Sequence, residues 1–170
     1  PVLKIDPAVH GLKNIELYAK LENMNPFGSV KDRIAWGMLK DDIEDIKRDG
    51  KIILESSSGN TAKALTIIAS LFGVSFKTIT NRIKVPEVKE VLKALGAMIE
   101  EMPGKSDCHD PNDPNDPIVL MNREAESNPN GVYVTRQYEN EKNIYCSTDG
   151  LFMDAAIRTI NQSNFKYWRI

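Results

Sequence analysis

Asn25-Pro26-Phe27-Gly28-Ser29-Val30-Lys31-Asp32-Arg33 is the stretch from which the rest of this chain can be read. It follows an apolar-alternating run from Ile15 to Leu21. It leads into Ile34, Met38 and Leu39, which share one face at helical spacing. Asn-Pro and Phe-Gly predict a loop. Ser29 and Asp32, three residues apart, fit a capping box at the start of the helix. That places Lys31 in the first helical turn, where a cation opposes the positive end of the helix dipole. Two readings follow. Lys31 is a solvated surface lysine, or its amine is wanted neutral or covalently bound, as in a lysine that captures an aldehyde.

Upstream, Pro1 to Leu12 reads as a loop with two prolines and a glycine, and His10 as a surface residue. Ile15, Leu17, Ala19 and Leu21 alternate with polar neighbours, the pattern of a half-buried strand. Downstream, Asp41 to Arg48 is helical and stops at Gly50. Ile52-Ile53-Leu54 is a short continuous apolar run, the mark of a buried parallel strand. Ser56 to Asn60 is a turn. Thr61 to Phe72 is a helix with Ala64, Ile67, Ile68 and Leu71 on one side, closed by Gly73. Val74 to Thr80 is a strand. A helix opens at Pro86 and runs through Leu95 to Gly96. Met98 to Glu101 is a strand, Ile118 to Ser127 a helix, and Val132 to Thr135 a strand. This alternation predicts an α/β fold, a parallel sheet flanked by helices in three layers.

Pro103 to Pro117 contains Asp110-Pro111-Asn112-Asp113-Pro114-Asn115-Asp116, a short internal repeat. Prolines at this density exclude helix and sheet. The calcium-loop pattern fails for want of a glycine at its sixth position and a closing glutamate. Cys108 and His109 are adjacent and lack a second ligand pair. A solvated loop without metal is expected. Leu151 to Ile160 is helical by pattern. Asn161 to Ile170 is an aromatic tail, either docked or interface-forming.

The 170 residues are enough for one real core, and a net charge of −2 gives no reason to expect nucleic acid or an acidic membrane. No apolar run reaches spanning length, and no secretory signal is visible, although the chain starts at Pro1. Two distant cysteines, Cys108 and Cys146, fit free thiols in a reducing cytoplasm.

Leu21-Glu22 followed by the Asn25–Arg33 stretch resembles the cofactor-lysine motif of the fold-type II pyridoxal-phosphate enzymes, nearest the cysteine synthases and cystathionine β-synthases. Glu55-Ser56-Ser57-Ser58-Gly59-Asn60-Thr61 is similar to that family's substrate loop. The likeness extends from about Leu3 to about Gly150. It implies pyridoxal 5'-phosphate as cofactor, with Lys31 as the Schiff-base lysine and proton carrier. Ser57, Ser58, Gly59, Asn60 and Thr61 would cradle the substrate carboxylate, since backbone N–H groups ahead of a helix attract anions. The same residues also suit an ordinary helix-capping turn. Asn60 would further contact the cofactor's ring hydroxyl, and Gln137 would help hold the carboxylate.

The implied reaction is β-replacement in cysteine biosynthesis. An aminoacrylate forms from O-acetylserine or serine, and a thiol adds to it. A small amino-acid substrate, a homodimer and a cytoplasmic setting are expected by the same resemblance. Three positions depart from the family. Arg136 stands where asparagine is usual, and Ser147-Thr148-Asp149-Gly150 where a Thr-Gly-Pro turn is usual. Ala62-Lys63 replaces a glycine and an apolar residue, and Lys63 is expected to face water. The ten glycines are all isolated, with no Gly-Gly or Gly-x-Gly to cradle a phosphate. The family supplies that cradle from its second half. The chain therefore resembles the N-terminal half: 1–38 from the large domain with the lysine, 39–140 as the small substrate-loop domain, and 141–170 as a helix and divergent tail. The alternative is a truncated, non-catalytic paralogue or half-enzyme serving as a binding or complementation module.

Overall fold

The computed structural model describes residues 1–81, 83, 85–103 and 109–143. The segment read as a loop is structured. β1 (Val2–Ile5) pairs antiparallel with β2 (Leu17–Lys20), Val2 opposite Lys20 and Ile5 opposite Leu17. Between them lies a single helical turn, α1 (Pro7–His10). Pro7 marks a helix start here rather than a loop, because its missing N–H is not needed in the first turn. The Asp6 carboxylate caps it by accepting from Ala8 N–H at 2.8 Å. His10 is half-buried, and its Nδ1 accepts from Leu12 N–H at 3.1 Å.

Three helices and a strand come next. α2 (Lys31–Leu39) and α3 (Ile43–Arg48) precede β3 (Ile52–Glu55), which leads into α4 (Asn60–Phe72). Then come β4 (Phe76–Asn81), α5 (Pro86–Ala94), β5 (Met98–Met102), α6 (Pro117–Ser127) and β6 (Val132–Val134). The last four strands form one parallel sheet in the order β5-β4-β3-β6. Successive strand residues face opposite sides. Ile53 and Phe76 enter a core built with α2, α3, α4 and α5, whereas Leu54, Ile79 and Val132 enter a second core with Met121 of α6. Helices thus cover both faces, and the three-layer α/β expectation holds. Each fully buried Leu or Ile contributes about 1.5–3 kcal/mol relative to exposure.

Two local expectations shift. α4 buries Ala64, Leu65, Ile68 and Ala69, while Leu71 is 73% exposed. At a helical period Phe72, not Leu71, continues the buried stripe, and its ring stacks on Trp36 at 6.0 Å. The Asp-Pro repeat is more ordered than a plain solvated loop. Each aspartate carboxylate accepts from the N–H two residues on: Asp110 from Asn112, Asp113 from Asn115 and Asp116 from Ile118. These are Asx turns, and the third becomes the N-cap of α6. The expected helix at 151–160, the tail at 161–170, Cys108, Cys146 and residues 147–150 lie outside the described residues.

Candidate active site

From β3 the chain steps to β4 and β5 on one side, then returns through α6 to place β6 on the other. The course reverses between β3 and β6. In open parallel sheets, ligands bind beyond the strand ends at such a reversal. Residues 56–59 leave β3 there, and residues 135–137 leave β6 there.

The turn after β3 is fixed at its base and open at its tip. The Thr78 hydroxyl, fully buried on β4, donates to Ser57 C=O at 2.6 Å and accepts from Ser57 N–H at 3.2 Å. Gln137 is buried, and its Nε2 donates to Ser56 C=O at 3.1 Å. Ser58, Gly59 and Asn60 are exposed, while Thr61 is buried. Gly59 is the N-cap of α4, and among the described residues no side chain caps that helix. The first N–H groups of a helix lack intrahelical partners. The Ser57 hydroxyl accepts only from Gly59 N–H, at 3.5 Å, so the N–H groups of the first turn of α4 stay open to an anion.

The lysine loop is held by Asp32. Its carboxylate accepts from Phe27 N–H at 2.6 Å and from the Ser29 hydroxyl at 3.1 Å, while Ser29 Oγ accepts from Lys31 N–H at 3.1 Å. This differs from the expected capping box. Val30 is the N-cap position, and the carboxylate reaches back five residues to Phe27. Gly28, at φ +87°, makes the tight bend that allows this. Lys31 opens α2 and is half-buried, and its side-chain amine has no hydrogen-bond or ion-pair partner among the described residues.

The two helix starts are neighbours. α2 packs on α4, and a Cβ placed on Gly28 would lie 3.8 Å from the Lys63 amine. Lys63 therefore lies half-buried against the lysine loop instead of facing water, because α4 presents its first turn to that loop. Beyond the strand ends a cavity of about 720 Å³ opens, with Ser57, Ser58 and Gly59 on one wall and Arg136 and Tyr138 among the others. Lys31, Asn60, Thr61 and Gln137 do not line it. Arg136 adopts φ +49°, and its guanidinium meets Glu139 at 3.3 Å on the surface.

The structure thus joins Ser57, Ser58, Gly59, Asn60, Thr61 and Gln137 at one place, with Lys31 at the adjoining helix start. Glu55, Thr78 and Thr135 were not singled out from sequence. Glu55 carries a faint signal, a carboxylate directly continuing an apolar strand. Burial pushes its pKa up, against hydrogen bonds from Thr135, Gln137 and Ser56. Thr78 and Thr135 carry none, since threonine is an ordinary strand residue.

The family described as "Pyridoxal-phosphate dependent enzyme" matches residues 1–155. The cystathionine beta-synthase of Apis mellifera is 34% identical over 146 residues, which are 84% of this chain and 28% of that protein. The cysteine synthase of Aquifex aeolicus is 33% identical over 133 residues, covering 77% of this chain and 38% of that one. The O-acetylserine dependent cystathionine beta-synthase from Helicobacter pylori superposes with a TM-score of 0.75 at 26% identity, over 94% of this chain and 50% of that one. O-Acetyl Serine Sulfhydrylase isoform 3 from Entamoeba histolytica has a TM-score of 0.77 at 22% identity, over 95% and 47%, a likeness of fold alone. The chain spans half or less of the length of each of these relatives.

Proposed function

The chain belongs to the pyridoxal-phosphate-dependent enzyme family, and on that footing we propose that it is part of a β-replacement synthase of the cysteine synthase and cystathionine β-synthase kind. The observation that carries the reading is the pairing of two helix starts. α4 opens without a side-chain cap, and beside it α2 opens on Lys31, whose amine has no partner among the described residues.

These residues fit the cofactor's aldehyde and the substrate's carboxylate. The Lys31 amine would hold the aldehyde and later carry the proton between positions on the substrate. The uncapped N–H groups at the start of α4, with the hydroxyls of Ser57, Ser58 and Thr61, would receive the carboxylate. Asn60 would also reach the ring hydroxyl, and Gln137, already bonded to Ser56, would close the carboxylate site. When bound, pyridoxal phosphate supplies the electron sink that makes the α-proton of an amino acid removable. The substrate is O-acetylserine or serine and the acceptor a thiol. A cytoplasmic homodimer belongs to the same proposal by family likeness. So does the division into a lysine-bearing segment, 1–38, and a substrate-loop domain, 39–140. That division follows role rather than packing, because Ile34 and Ala35 share the core of the second segment.

The isolated glycines favour a second arrangement, in which the phosphate is held by a polypeptide outside these residues. The experiment is an absorbance titration with pyridoxal phosphate, run on the chain alone and after mixing with the C-terminal half of a full-length relative. A band near the visible edge, absent in Lys31→Ala, is expected. A band on mixing only supports the half-enzyme form. No Lys31-dependent band in either sample overturns the enzyme reading.

A further inference from the structure

Glu55 ends β3 at 1% exposure, and nothing in the proposed reaction uses it. Its carboxylate accepts from three donors on two segments. Ser56 N–H, from the turn, lies at 2.9 Å. Gln137 N–H and the Thr135 hydroxyl, from the segment after β6, lie at 3.0 and 2.5 Å. The Gln137 side chain returns to Ser56 C=O, so the four residues close a ring across the β3–β6 reversal.

A carboxylate is a poor choice for mere packing at this position. The groups that bond it from the turn and from the β6 segment are all uncharged, and Arg136 between them pairs with Glu139 instead, so among the described residues the ionised form is buried without a bonded cation. Burial raises its pKa above the ordinary glutamate range. The sign is that of an acid penalised in the fold: stability is full below the unfolded value and declines as pH rises through the folded one. A group that lowers stability while organising a site is the pattern expected where function sets the residue.

We infer that Glu55 is a positioning residue whose ionised carboxylate locks the Ser56–Asn60 turn to the Gln137 segment, so that the two act as one receptor for a substrate carboxylate. The inference rests on the proposed role of residues 57–61 and 137. The chemistry explains why an amide cannot substitute. Three donors converge, and the carboxylate offers only acceptors. Glutamine offers one oxygen and one NH2. Whichever way it is turned, its NH2 faces either Ser56 N–H or Gln137 N–H. Protonation acts in the same direction, replacing one acceptor with a donor.

The test compares the wild-type chain with Glu55→Gln by amide NMR. Without ligand, hydrogen exchange at Ser56 and Gln137 should quicken about tenfold or more in the variant, one lost bond's worth. Amides of β4 and α4 should stay protected, and the unfolding midpoint should not fall. With O-acetyl-L-serine as probe, wild-type shifts on the turn and on Gln137 should follow one common binding curve. That affinity should weaken about tenfold in the variant, and in the wild type it should weaken as pH falls through the titration of the Glu55 carboxyl carbon. The variant should lack this pH step. Unchanged exchange in Glu55→Gln, equal affinity, or no wild-type response at either segment overturns the inference. The Lys31-dependent absorbance band separates that failure from failure of the enzyme reading.

Discussion

Replacing Thr78 by valine should loosen the site while barely altering its shape. Valine matches threonine in volume and strand preference. What disappears is one hydroxyl, which bonds Ser57 twice, as donor at 2.6 Å and as acceptor at 3.2 Å. Each neutral hydrogen bond contributes about 0.5–1.5 kcal/mol net, so two give about 1–3 kcal/mol. Ser57 is half-buried, and water reaching its backbone recovers part of this. A loss of about 1–2 kcal/mol is therefore expected from urea unfolding monitored by circular dichroism, with an unchanged slope. Thr78→Ser keeps the hydroxyl and should recover the bonds, although it leaves a small void. Hydrogen exchange at Ser57 should quicken in the valine variant and not in the serine variant. A valine variant within about 0.5 kcal/mol of wild type, with Ser57 still protected, would refute the claim that Thr78 anchors the turn.

Tyr133 and Asp116 offer independent checks. The Tyr133 hydroxyl donates to Asp42 Oδ2 at 2.7 Å, and Lys142 meets the same oxygen at 3.2 Å. The hydroxyl, and then Lys142, against some burial, hold the Asp42 carboxyl below its usual range. A depressed carboxylate stabilises above its unfolded pKa and loses that contribution as pH falls through the folded value. The Asp42 side chain is 40% exposed, so solvent screening reduces the effect, and Tyr133→Phe should lower stability by about 1 kcal/mol at neutral pH, a difference that should shrink in strong acid. A pH-independent difference in denaturation midpoint would contradict this. Asp116 accepts from Ile118 N–H at 2.8 Å and from Asp110 N–H at 2.9 Å. Burial pushes its carboxyl up, but these bonds and His109 outweigh it and hold the pKa low. Asp116→Ala should cost about 1–2 kcal/mol as a lost N-cap, again diminishing in strong acid, and should speed exchange in the first turn of α6. Unaltered exchange there would count against the capping role.

The element order was legible because it rests on local physics. Ile52 to Leu54 is a short continuous apolar run, typical of a buried parallel strand, and Gly73 at φ +72° ends α4 as its sequence position implies. Where reading failed, a local signal had a second meaning. Pro7 marked a helix start rather than a loop. Leu71 sat one position off the face that packing selected. Lys63, polar in sequence, was drawn against Gly28 by the packing of α4 on α2.

The sequence by itself determined the strands β2 to β6, the helices α2 to α6, and the places of the lysine loop and the turn after β3, since each depends on residues within a turn or two of one another. Only the tertiary structure decided that Glu55 meets Thr135 and Gln137, some eighty positions away, and that Thr78 clasps Ser57. Such contacts arise from strand order. No spacing along the chain shows that β6 returns to lie beside β3, and it is that return which brings the donors to one carboxylate.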